Sequence, residues 1–307
     1  MEKVKSFTKK NIIVFVLIFL CLGFGLGNKS FLSAQNLVNL TTQMAINAML
    51  SAGLTYVIIL GGIDISVGSV AALAGVCGAL VARENPDASI FVASLIWIGA
   101  ALVVGALCGA FNGLMIAYFK VVPMIATLAM LNMARGLCFV LSGGSSVSGV
   151  KSNYSFLGAA RLLQTADKPT GWIPIITIFV IVAVFIVHIL LSKTVFGRHV
   201  YATGSNSNVA HLSGINTAKI TFLSHVICGI MAAMGGVLNA SKLQNGQPGA
   251  CDAYEMYAIA ATVLGGTSLS GGSGSVGRAM IGVAVIAVIN NGMNLLHIDS
   301  YCQKVVI

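Results

Sequence analysis

Residues 90–118 read IFVASLIWIGAALVVGALCGAFNGLMIAY, and no Asp, Glu, Lys or Arg interrupts them. A helix needs only about 20 consecutive apolar residues to cross the hydrocarbon layer of a bilayer. The run is continuous instead of alternating, which excludes a strand of a membrane barrel, where residues face lipid and lumen in turn. A helix also pairs every backbone N–H and C=O within itself, as lipid requires. This stretch therefore sets the fold class: helices that span a membrane.

Outward from it, comparable apolar segments lie at 11–27, 43–61, 65–82, 123–142, 173–192, 219–240, 256–269 and 279–296. Together they predict an all-α polytopic bundle of nine spans, in one transmembrane domain over residues 1–307. Composition agrees: 57% of the chain is hydrophobic and 8% charged, against roughly 25% charged in a soluble domain. The eighth segment is short and ends in Gly and Ser, which predicts a half-span or a broken helix. Beyond the ninth, a polar stretch leads to Val305–Ile307, the start of another apolar run. The expectation is either an odd number of spans or a further helix beyond the sequence.

The net charge of +9 is not a nucleic-acid footprint, because no basic run is interleaved with exposed aromatics. The basic residues gather near helix ends, as the positive-inside bias describes. Lys3, Lys5, Lys9 and Lys10 place the amino terminus in the cytoplasm as an uncleaved first span; a signal peptide is the other reading, but no clean cleavage site follows. Alternation then puts Lys120, Lys193, Arg198, Lys219 and Arg278 inside and loop 143–172 outside. Loop 193–218 becomes the longest cytoplasmic loop. Of the seven cysteines, five fall in apolar runs and none forms a C-x-x-C pair. Cys251 and Cys302 lie outside such runs and are the one pair open to a disulfide.

Gly105, Gly109 and Gly113 form a G-x-x-x-G-x-x-x-G stripe that lets another helix approach closely. It serves either static packing, the stronger reading, or a moving contact. Gly272, Gly274 and Gly277 spell G-x-G-x-x-G, yet the strand and amphipathic helix that a dinucleotide site needs are absent. Gly271–Gly274 contains Ser273, with His297 beyond the next span, an arrangement resembling an intramembrane serine protease. A nucleophile and its base must lie within hydrogen-bond reach, so this is a remote alternative. No G-x-x-x-x-G-K-[ST] loop and no paired metal-ligand spacing occur. The expectation is a chain without catalytic residues, metal or cofactor, and without its own ATP site.

Polar residues in apolar segments are costly and tend to face a protein interior or a water-filled path. Asp64, Ser66, Asn112, Asn132, Asn290, Asn291 and Asn294 are the candidates to line such a path, with Arg135 and Asn239 also in apolar runs. For Asp64 and Ser66, helix capping after the Gly61–Gly62 break explains the residues equally well. For the asparagines, hydrogen bonding between helices is nearly as good an explanation.

Four stretches carry a family resemblance: Gly61-Gly62-Ile63-Asp64-Ile65-Ser66-Val67-Gly68-Ser69; Ala202–Asn206 through Ala210–Ile215; Ala258–Gly272; and Asn290-Asn291-Gly292. In order and spacing, from about residue 30 onward, they resemble bacterial ABC-type permeases for ribose, xylose, galactose and related monosaccharides. The resemblance implies a permease subunit in the cytoplasmic (inner) membrane that forms the translocation pathway for a ribose-like sugar. It implies three partners: an ATPase that binds the ATP, a second permease subunit, identical or paralogous, and an extracytoplasmic sugar-binding protein. It assigns Gly204, Asn206, Ala210, Ser213, Gly214 and Ile215 to a coupling helix that meets the ATPase. It also implies ten spans, one of them beyond Ile307. An autoinducer-type furanosyl compound, inositol or a nucleoside is the alternative cargo. An ion-coupled carrier acting alone is disfavoured, because the spans hold few ionisable residues for a relay.

Overall fold

The computed structural model describes residues 2–163 and 171–299, with side chains from Ile12 onward. Its helices are α1 (Glu2–Gly27), α2 (Ala34–Ile59), α3 (Val67–Glu84), α4 (Ile90–Ala117), α5 (Pro123–Ser142), α6 (Phe156–Ala159), α7 (Ile175–Lys193), α8 (Val195–Ser205), α9 (Ser207–Leu212), α10 (Thr217–Leu243), α11 (Tyr254–Leu264) and α12 (Val276–Leu295). A 3-10 turn at Ser152–Ser155 and a two-residue antiparallel pair, β1 (Arg161–Leu162) with β2 (Ile173–Pro174), decorate the loop before α7. The all-α polytopic bundle is as expected. Seven of the helices (α2, α3, α4, α5, α7, α10 and α12) are long and apolar enough to cross a membrane. The first expected span contributes the shorter apolar stretch Ile12–Gly27. The eighth is the 11-residue α11, continued by an irregular segment to Ser275, so it is a broken span.

Local chemistry sets the helix ends. Pro123 begins α5, where its missing N–H costs nothing, and Gly143 closes it at φ 65. Ser33, Ser89, Thr194 and Asn216 cap α2, α4, α8 and α10 by accepting first-turn N–H groups. Helices α1 and α2 both begin well ahead of the apolar segments expected at 11–27 and 43–61. The first turns of α2 hold Gln35, Asn36 and Asn39, which read as loop, but Asn36 is buried and paired to α12.

The core forms around α10, which packs on α2, α3 and α4. The predicted glycine stripe is the α4–α10 seam: a Cβ on Gly109 would stand 2.4 Å from the His225 carbonyl oxygen, and one on Gly105 2.6 Å from that of Gly229. Both contacts are with backbone, so only glycine permits the approach. Cys251 is buried, and Cys302, the other half of the pair open to a disulfide, lies outside the described residues.

The ends of the bundle differ. At one end, Gly272 N–H donates to the carbonyl of Ile59 at 2.8 Å and the Tyr201 hydroxyl to that of Gly274 at 2.8 Å. Segments 60–66, 118–122, 194–216 and 265–275 therefore share that end with α8 and α9. At the other, Lys151 pairs with Asp87 at 2.9 Å and Val147 bridges to Gly246.

Candidate functional site

The site starts where α2 stops. Gly61, at φ 80, turns the chain, and residues 62–66 run without regular structure to α3. Irregular backbone at membrane depth is tolerated only where protein or water covers it. Here protein does, because Asp64 and Ser66 are each 1% exposed. Asp64 Oδ1 accepts the Ser66 N–H at 2.9 Å and its hydroxyl at 2.6 Å. From α4, Asn112 donates to Ser66 Oγ at 3.0 Å and, more weakly, to Asp64 Oδ2 at 3.4 Å. From α5, Thr127 Oγ accepts the Ile65 N–H at 3.4 Å.

Two α10 residues that the sequence reading did not single out complete the cluster. The Cys228 thiol and the His225 ring both lie within electrostatic reach of Asp64. His225 Nδ1 is 2.9 Å from the carbonyl of Thr221; a carbonyl only accepts, so that nitrogen carries the proton. His225 Nε2 and Asn112 Oδ1 are buried with no partner. Among the described residues, the ion pairs Arg83–Glu84 and Lys151–Asp87 lie at the far end, so Asp64 is held by neutral donors. Side-chain capping of α3 by Ser66 is not observed; Asp64 uses that N–H and hydroxyl instead. His225 was legible by the rule that found Asn112: a polar residue inside an apolar run.

The remaining lining candidates stand elsewhere. Asn291 exchanges amide hydrogen bonds with Asn36 at 2.8 and 3.1 Å and donates to Gln43 at 3.4 Å, fastening α12 to α2. Asn290 is half-buried and Asn294 exposed near the end of that helix. Asn132 is exposed on α5, its amide bonded back to Leu128 of the same helix. One turn on, Arg135 Nη1 donates to the carbonyls of Pro248 and Ala250 at 2.7 and 2.8 Å, tying α5 to the loop before α11. The structure thus gathers Asp64, Ser66 and Asn112 and leaves the four other asparagines outside that cluster.

The expected single coupling helix is two helices. Gly204 and Ser205 form the last turn of α8, and a Cβ on Gly204 would stand 1.8 Å from the Ile59 carbonyl oxygen. Asn206 begins α9, its Oδ1 accepting the N–H of Asn208 and Val209 at 3.1 and 3.0 Å. Ala210 is buried, and Ser213 Oγ donates to the Val209 carbonyl at 2.9 Å. Gly214 sits at φ 86, with Gly214 N–H donating to His211 and Ile215 N–H to Ala210. That pattern is a Schellman C-cap, which glycine fills without steric cost. Val209 and Leu212 stay 57% and 86% exposed, an apolar face on a helix at the polar end of the bundle.

Ser273 lies before α12 and His297 after it. That helix has 20 residues and so is about 30 Å long, which removes the serine–histidine alternative.

Residues 36–307 match the family model described as "Branched-chain amino acid transport system / permease component". The chain is 39% identical to the ribose import permease protein of Bacillus subtilis (strain 168), over 91% of this chain and 83% of that protein. It is 33% identical to the D-allose transport system permease protein of Escherichia coli (strain K12), over 95% and 86%. With the galactose/methyl galactoside import permease protein of Haemophilus influenzae it shares 34%, over 100% and 93%. No solved structure matches.

Proposed function

The chain belongs to this permease family, and from that premise we propose that it is the membrane-spanning subunit of an ATP-driven, binding-protein-dependent importer of a ribose-like monosaccharide. The observation that carries the reading is identity along nearly the whole chain to permeases named for ribose, allose and galactose. Two such subunits form the pathway, a partner ATPase binds the ATP, and an extracytoplasmic binding protein delivers the sugar.

The charge distribution supports the orientation. Lys120, Lys193, Arg198, Lys219 and Arg278 belong to the segments at the α8–α9 end, which the start of α1 with Lys3, Lys5, Lys9 and Lys10 joins, against Lys29, Arg83, Lys151, Arg161 and Lys242 at the other. By the positive-inside bias the α8–α9 end faces the cytoplasm, and the amino terminus lies on the same side. There α9 presents Val209 and Leu212 on a rigidly capped turn, which suits docking of the ATPase. Movement of α8 and α9 reaches the bundle through backbone contacts, because Gly204 and Gly271–Gly272 pack against the end of α2. The buried Asp64 cluster lies just past that end and fixes the α2–α3 connection to α4 and α10.

The test is reconstitution in proteoliposomes with labelled ribose, allose and galactose. Alone, the chain hydrolyses no ATP and concentrates no sugar; with its ATPase and binding protein it does both. In the same system Asn208→Cys cross-links to the ATPase and Ser152→Cys does not. Uptake driven by a proton or sodium gradient with this chain alone overturns the reading.

A further inference from the structure

A cavity of about 160 Å³ opens at the α8–α9 end, between Gly61–Gly62, the α4–α5 turn and the start of α10. It continues into a cleft of about 280 Å³ that shares Lys120, Ser207, Thr217 and Ala218 and adds Asn208, His211 and Asn216. From these walls we infer that the cleft is a binding site for a small phosphate-bearing anion, held between the α4–α5 turn and the start of α10.

Three observations converge on that chemistry. First, no carboxylate lines either chamber, while Lys120 lines both. Second, Thr217 and Ala218 open a 27-residue helix; Asn216 Oδ1 takes only the Lys219 N–H, and first-turn N–H groups have no acceptor within a helix. Such groups, at the positive end of the helix dipole, favour an anion. Third, His225 forms part of the inner wall, is 1% exposed, and leaves Nε2 without a partner. With Nδ1 fixed on Thr221, Nε2 is the nitrogen of this wall residue left without a protein partner. It can accept from a protonated phosphate oxygen or, once protonated, donate to an anionic one.

Bound there, the anion ties the α4–α5 turn to α10 and rests beside Ser207 and Asn208 of α9, the element read above as the ATPase contact. The binding site itself does not rest on the importer reading; only its cytoplasmic facing and its influence on coupling do. The phosphate group has two sources, a free cytoplasmic phosphate or the headgroup of an anionic lipid, and the experiment separates them.

The full chain is placed in nanodiscs of phosphatidylcholine, with and without phosphatidylglycerol. Its unfolding midpoint is followed against inorganic phosphate, with chloride at equal ionic strength as the reference. A saturable rise in phosphatidylcholine discs that Lys120→Met weakens about tenfold, the loss expected for one charge-assisted contact, establishes a free-phosphate site. A Lys120-dependent rise that needs phosphatidylglycerol instead establishes a headgroup site. Ring-nitrogen NMR of His225 supplies a second readout, since phosphate shifts Nε2 in the parent protein and not in Lys120→Met. If phosphate and chloride act alike in both discs, or Lys120→Met responds as the parent does, the inference is wrong. Neither result bears on sugar uptake, which tests the importer reading separately.

Discussion

Helices α2 and α7 are both long enough to cross a bilayer, yet 78% of the most apolar stretch of α2 is buried against 22% of that of α7. Their sequences run opposite to the habit of soluble proteins. The outward α7, IITIFVIVAVFIVHILLSK, is almost wholly aliphatic and aromatic, whereas the inner α2 carries Asn36, Ser51, Gly53 and Thr55. Lipid tails are as apolar as leucine, so hiding large aliphatic side chains gains little. Small residues that let backbones meet, and polar groups that bond across helices, gain more. The contrast teaches that the interior is identified by what is small and polar. Helix α5 departs from the pair: it is as outward as α7, at 28% buried, but carries the exposed Asn132 and the tethered Arg135. Lipid alone does not explain its outer face.

The strongest way to break this contrast is to enlarge an inner glycine. Gly109→Leu forces a side chain into the backbone of α10, and overpacking of that kind costs about 3 kcal/mol or more when neither helix can retreat. The variant is expected to lose its cooperative unfolding transition in detergent. Gly136→Ala on the outward α5 meets nothing within 4 Å and is expected to stay within about 1 kcal/mol of the parent, with helix propensity on its side. Equal losses in the two variants would mean that the α4–α10 seam is not as closely packed as described.

Next in size is Asp64→Leu. It removes the acceptor of the Ser66 N–H and hydroxyl, and unsatisfied buried donors cost about 1–3 kcal/mol each. A fall in unfolding free energy of about 3 kcal/mol is expected. A fall no larger than that of a surface variant would mean that water, not Asp64, satisfies the cluster.

Much of this was legible in the sequence. Apolar length located the spans, and α5 begins and ends where its proline and glycine say it should. The Gly61–Ser66 break and the left-handed Gly214 were equally visible, because glycine takes up the positive-φ turns that other residue types avoid. What escaped depends on partners distant in sequence. Polar first turns hid the start of α2 because the residue that pays for burying Asn36 is Asn291. His225 belongs to the Asp64 cluster only once the glycine seam draws α10 against α4. The asparagines of α12 shared a helical face, but a face does not say whether it meets a path, a neighbour or the solvent.

Gly214→Val probes the α9 end at smaller cost. There is room for the side chain, since nothing lies within 4 Å, so the penalty is purely conformational: about 1 kcal/mol or more for a β-branched residue in the left-handed region. Membrane insertion is expected to be unchanged, with ATP hydrolysis by the reconstituted partner no longer matched by sugar uptake. Tight coupling in this variant would show that the C-cap of α9 does not set the docking geometry.

The smallest expected change in stability belongs to Asn132→Leu, and it separates α5 from α7 most sharply. The amide is exposed and bonded only to its own helix among the contacts described, so its loss alters stability by no more than about 0.5 kcal/mol, as for other surface positions. Val182→Leu, at a 53% exposed position of α7, is the matched control with the same expected stability. Uptake should distinguish them. If α5 faces the sugar path, Asn132→Leu removes a neutral donor and acceptor suited to sugar hydroxyls, and initial uptake falls severalfold while Val182→Leu transports as the parent does. If both variants transport normally, the polar outer face of α5 serves contact with a neighbouring chain, and the path must be sought along the buried polar groups of α4 and α10.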